Sequence, residues 1–122
     1  MVRPGLRIVA AVLGSVALAG VVAPPAANAS EPSVQVEICN DTGRRMGVAI
    51  DGRNQHGQWT GMDSYSSVWA GGCGLQGGWW WSIGHSVQIS YKPDASSQAP
   101  STRWCYLEPS LRDGSTKTCR IS

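Results

Sequence analysis

In three of the apolar runs between positions 30 and 122, the apolar residues return at every second position. Val34, Val36 and Ile38 alternate with Gln35 and Glu37, and the same spacing links Met46, Val48 and Ile50, then Val87, Ile89 and Tyr91. A period of two sends successive side chains to opposite faces of a strand. No stretch carries the three-and-four spacing of a capped amphipathic helix. Gly, Asn, Asp and Pro separate the runs, so the pattern predicts about seven short strands, at 33–39, 45–50, 64–70, 79–83, 86–91, 102–108 and 117–122. The expected fold is all-β, an antiparallel β-sandwich. The turn signal NDTG (40–43) predicts that 33–39 and 45–50 form a hairpin, and 102–108 with 117–122 is expected to form the last one. Residues 51–63 read as a polar loop. The Gly-rich 70–78 lacks the Lys-Ser/Thr ending of a phosphate cradle and reads as tight turns around Cys73.

The N-terminus does not belong to that pattern. Arg3 and Arg7 precede the apolar run IVAAVLGSVALAGVVA, and Ala27-Asn28-Ala29 closes it. A charged start, an apolar centre and an A-x-A site describe a secretory signal peptide. The expected organisation is a signal peptide over 1–29 and one secreted, extracellular domain over 30–122, free of the membrane after cleavage. Ten basic and eight acidic residues give a net charge of +2, but Arg3 and Arg7 leave with the leader. The domain then carries as many acids as bases. Binding to nucleic acid through charge requires a cationic surface, and no nucleic-acid partner is expected.

Four cysteines, Cys39, Cys73, Cys105 and Cys119, fall in the exported part. An even count in a short secreted chain predicts two disulfides. Three pairings are open; Cys39–Cys73 with Cys105–Cys119 is preferred because the second pair flanks the turn-like PSLRDGST. On loop-entropy grounds the shorter bridge contributes ~3 kcal/mol and the longer ~3.7 kcal/mol. No C-x-x-C pair is present, so no metal site is expected, and nothing in the sequence calls for a cofactor.

Residues 77–85, GGWWWSIGH, pose the sharpest question, because Trp79, Trp80 and Trp81 cannot all enter one core. If 79–91 is a hairpin, one register buries Trp80 opposite Ile89. The other buries Trp79, Trp81 and Ile83 and turns Trp80 outward. The second covers about one more indole, on the order of 6 kcal/mol as an upper figure, and is preferred. Trp80 outside, with Trp59 on the 51–63 loop, are then the candidate ligand-binding residues, while Trp69 and Trp104 are assigned to the core. His56 and His85 are the two histidines. Ser64, His56 and Asp51 could be imagined as a triad, but triads are defined by geometry. No nucleophile elbow or paired-His motif occurs. No enzyme activity is expected.

From Glu37-Ile38-Cys39-Asn40 through Gly72-Cys73 to Cys105, the chain resembles small exported proteins of Gram-positive bacteria without assigned activity. It also resembles a bacterial domain of unknown function that opens on Cys-Asn and carries a central Gly-Cys. Around Arg103-Trp104-Cys105-Tyr106 it is faintly similar to the tendamistat-type α-amylase inhibitors, exported β-sandwiches with two disulfides and a Trp-Arg-Tyr motif. Here the order differs and Cys105 interrupts it, so the inhibitory triplet does not carry over. The expected function is a non-catalytic binding or interaction protein meeting an extracellular glycan or a secreted protein through exposed tryptophan. The alternative is a secreted inhibitor of amylases or proteases that presents loop 51–63 or 109–116.

Overall fold

A computed structural model describes residues 30–122; the expected signal peptide at 1–29 lies outside the described residues. The described chain is all-β. Its strands are β1 (Ser33–Asn40), β2 (Met46–Arg53), β3 (Trp59–Gly61), β4 (Ser66–Val68), β5 (Cys73–Leu75), β6 (Trp81–Ser82), β7 (Ser86–Pro93), β8 (Ser101–Tyr106) and β9 (Thr116–Ile121). Two sheets pack face to face. In the first, β1 pairs antiparallel with β5 and β6, and β9 runs parallel to it from Gln35↔Thr116 to Asn40↔Ile121. The second has the order β3-β2-β7-β8. There β4 joins β2 along the same edge as β3, because Met46, Gly47, Val48 and Asp51 take their other partners from β7. No helix among the described residues is long and apolar enough to cross a membrane.

The alternating positions meet in the middle. Val34, Val36 and Ile38 of the first sheet and Val48, Ile50, Val87 and Ile89 of the second are all buried, with Trp81, Leu107 and Ile121 among them. Both disulfides have the preferred pairing, Cys39–Cys73 and Cys105–Cys119.

Two expected hairpins are not formed. β1 and β2 lie in different sheets, and the NDTG signal makes an arch between layers. The fully buried Asn40 holds it: its Nδ2 donates to the carbonyls of Arg44 at 2.6 Å and Val68 at 3.0 Å, and its Oδ1 accepts from the Thr42 amide and hydroxyl. With β5 and β9 pairing the two edges of β1, no edge is left for β2. Likewise β8 and β9 belong to different sheets. The Cys105–Cys119 bridge therefore ties the two layers together and does not staple a hairpin. Segment 51–63 is not a loop either: it holds the end of β2, a tip bound by Asn54 Oδ1 to the amides of His56 and Gln58, and β3.

The 79–91 stretch adopts neither hairpin register. Trp81 pairs with Val34 of β1, whereas β7 pairs with β2 and β8. The expected burial holds fully for Trp81, while Trp79, like Trp80, is half-buried. Trp81 is fully buried, Trp79 stacks on it with ring centroids 5.8 Å apart and planes 8° from parallel, and Ile83 packs against the core. Trp80 is half-buried, so it is not an open indole. Trp69 and Trp104, assigned to the core from sequence, are 67% and 58% exposed.

Candidate functional site

The outward side of the second sheet follows from the same alternation. Met46, Val48, Ile50, Val87 and Ile89 point inward, so Gly47, Ala49, Asp51 and Arg53 of β2 and Ser86, Gln88, Ser90 and Lys92 of β7 point out. On β8, Cys105 faces inward to reach Cys119, which sends Thr102, Trp104 and Tyr106 outward. The register lays these residues in rows: Gly61, Asp51, Gln88 and Trp104 in one, Ala49, Ser90 and Thr102 in the next, then Ser67, Gly47 and Lys92.

At one end of this face two indoles meet. β3 and β8 are three strand spacings apart, roughly 14 Å at about 4.8 Å each. Yet the Trp59 and Trp104 ring centroids are 6.3 Å apart with planes tilted by 55°. Both indoles therefore lean over the sheet and form one continuous apolar surface, within the 4.5–7 Å range of interacting aromatic pairs. The Asp51 carboxylate lies across Gly61, where a β-carbon would collide with it, so glycine there gives that carboxylate its place. Tyr106 is exposed one step along β8.

At the other end Tyr65 covers Gly47; a β-carbon on Gly47 would sit 3.3 Å from that of Tyr65. Lys92 Nζ lies 4.9 Å from the Tyr65 ring centroid and donates to the Ser96 carbonyl. The Arg45 guanidinium lies 4.3 Å over Trp69 and pairs with Asp94 at 3.1 Å. Of the six exposed large hydrophobic residues among those described, Trp59, Tyr65, Trp69, Trp104 and Tyr106 belong to this one face; Leu75 lies on β5 of the other sheet.

Of the two ligand-binding candidates, Trp59 is in this cluster, 59% exposed, and Trp80 precedes β6 of the first sheet, outside it. Trp104, missed from sequence, is the second indole. His56 is exposed at the β2–β3 tip and His85 follows the turn at Gly84, whose φ is +88°. All four cysteine sulfurs are committed to the two bridges. An open groove of about 350 Å³ runs between β8 and β9 and borders this face, since Trp104 and Tyr106 line it together with Arg103, Glu108, Lys117 and Arg120. Two of its cations are engaged, Lys117 with Glu108 at 2.8 Å and Arg120 with Asp41 at 3.0 Å.

The face is braced from its edge. Glu31 accepts from Arg53 Nε at 3.1 Å, from Arg53 Nη2 at 2.7 Å and from the Ser82 hydroxyl at 2.6 Å. The Arg53 hydrogen bonds, seconded by Ser82, bring the Glu31 carboxyl down to about 2. A carboxyl held that low stabilises the fold above its ordinary value of 4.5, and the contribution disappears as pH falls through about 2. The melting temperature is therefore expected to drop between pH 5 and pH 2. Glu31→Gln, which cannot ionise, should show a shallower drop, and equal slopes in a calorimetric series would remove the pair from the acid response.

The geometry defines a class: a disulfide-bridged two-sheet sandwich with an aromatic, polar-floored outer face. Set against family models, curated proteins and solved structures, the chain finds no match in any of the three.

Proposed function

We propose that the protein is a secreted, non-catalytic binding module whose outer sheet face recognises an extracellular glycan. The segregation of exposed aromatics carries this reading: five large rings share one face, interleaved with Ser, Thr, Gln, Asp and Gly. Sugar rings present C–H faces that lie against indoles and hydroxyls that need hydrogen-bonding groups beside them. Asp51 and Gln88, next to Trp104, meet that need and have no side-chain hydrogen-bond partner among the described residues. Aromatic rings anchor protein partners as readily as sugars; what favours a glycan is the set of hydroxyl, amide and carboxylate groups between the rings. Two disulfides are typical of extracellular proteins, in keeping with the signal-like N-terminus.

Pull-down on insoluble polysaccharides is the test. Trp104→Ala is expected to lose about 2 kcal/mol, roughly thirtyfold in affinity, as a central aromatic anchor does. Leu75→Ala, on the opposite sheet, should be retained like the wild type. Binding should persist in moderate salt. Equal retention of Trp104→Ala and wild type would overturn the reading, as would capture of a protein through Trp104 in the absence of any glycan.

A further inference from the structure

We infer that this face takes an extended, uncharged glycan chain laid along β2 and β7, spanning both aromatic clusters; the inference rests on the glycan reading above. The clusters are separated along the strands. Asp51, Gln88 and Trp104 share one row, and Gly47 and Lys92 beneath Tyr65 share another. From Asp51 to Gly47 the distance is about 13 Å at roughly 3.3 Å per residue. A single sugar ring cannot touch both ends.

Between the clusters lies the row Ala49, Ser90 and Thr102, whose side chains are all small. Large rings at each end and small residues between them leave a low floor that a chain lying along the strands would cross from one cluster to the other. Its hydroxyls, on Ser90 and Thr102, can donate to and accept from a chain passing over them.

Charge selects among polymers. Arg45 is paired with Asp94 and Arg53 with Glu31. Lys92 at one end is balanced by Asp51 at the other, so the face carries no net charge. An uncharged chain complements it; a polyanion would meet the Asp51 carboxylate at the Trp59–Trp104 end. The three unlike observations of ring spacing, small floor and neutral balance agree on a chain of several rings.

The experiment is a calorimetric titration with two oligosaccharide ladders, β-1,4-linked glucose and β-1,4-linked N-acetylglucosamine, each from one to six units. Affinity for at least one ladder is expected to rise tenfold or more from dimer to hexamer. Tyr65→Ala should bring the hexamer-to-dimer affinity ratio close to one. Ser90→Trp, which raises an indole from the low floor between the clusters, should lower the same ratio without depending on Tyr65. A hexamer bound no more tightly than the dimer, or a length gain untouched by both variants, overturns the extended-chain inference while Trp104-dependent dimer binding leaves the glycan reading standing. Binding of both ladders that is indifferent to Trp104→Ala overturns the glycan reading itself, and no binding to any rung overturns both.

Discussion

Trp81→Ala is expected to destabilise the domain by about 3–5 kcal/mol, the usual cost of emptying a large aromatic site. Against a total of roughly 5–15 kcal/mol for a domain of this kind, that is a large fraction. Trp81 is fully buried, sits opposite Val34 in the first sheet and supports the stacked Trp79. Gly52 on the second sheet makes room for it, since a β-carbon there would lie 3.1 Å from the indole. The ring thus fills space between the layers, and its loss leaves a void that rigid strands on both sides cannot close. Trp81→Phe should cost much less, because the indole Nε1 is buried without a hydrogen-bond partner and its removal also removes an unpaired donor. Urea melts followed by circular dichroism give both numbers. A loss below about 1 kcal/mol for the alanine variant would contradict the central placing of this ring.

Removing the cross-layer bridge with Cys105→Ser and Cys119→Ser is expected to cost ~3 kcal/mol on loop-entropy grounds and also to weaken ligand binding by the folded protein. Among the described residues β8 is an edge strand that pairs with β7 alone, and Cys105 is its covalent tie to the other sheet. That tie sits between Trp104 and Tyr106, so freeing it loosens both rings. The comparison variant is Cys39→Ser with Cys73→Ser. It opens the larger loop, spanning 34 residues, at ~3.7 kcal/mol, but it acts within the first sheet, where Cys39 and Cys73 are already ladder partners. Binding measured well below each melting midpoint should therefore fall for the first pair and hold for the second. Equal affinities would mean that β8 keeps its shape without the bridge.

Much of this was legible in the residues. The two-residue period of Val34, Val36 and Ile38 announces a strand, and the same is true at β2 and β7. The period does not say which sheet a strand joins. A hairpin and an arch demand the same alternation, and the difference lies in Asn40, whose buried side chain binds carbonyls on two separate segments. Cysteine spacing led to the observed pairing for a reason that does not hold, since residues flanking a turn can equally bridge two layers. The parallel pairing of β9 with β1 joins segments 81 positions apart and leaves no local trace.

The candidate face was hidden by hydrophobicity and recoverable from parity. Trp104 and Trp69 look like core residues by composition. Trp104 adjoins Cys105, which must face inward to meet Cys119, and Trp69 adjoins the buried Val68. Neighbours on a strand cannot share a face. The inward member of each pair therefore fixes the outward one, and applying that rule before ranking residues by apolarity would have found Trp104.

The pairing of β1 with β9 also governs when the molecule can become whole. A chain delivered from its N-terminal end supplies Val34, Val36 and Ile38 first and their parallel neighbour 81 positions later. Until Thr116–Ile121 is present, one edge of β1 has no permanent occupant and the interior lacks Ile121. Closure thus waits for β9, and contacts so distant in sequence make for slow folding. A sandwich built this way stays open until Thr116–Ile121 has joined β1.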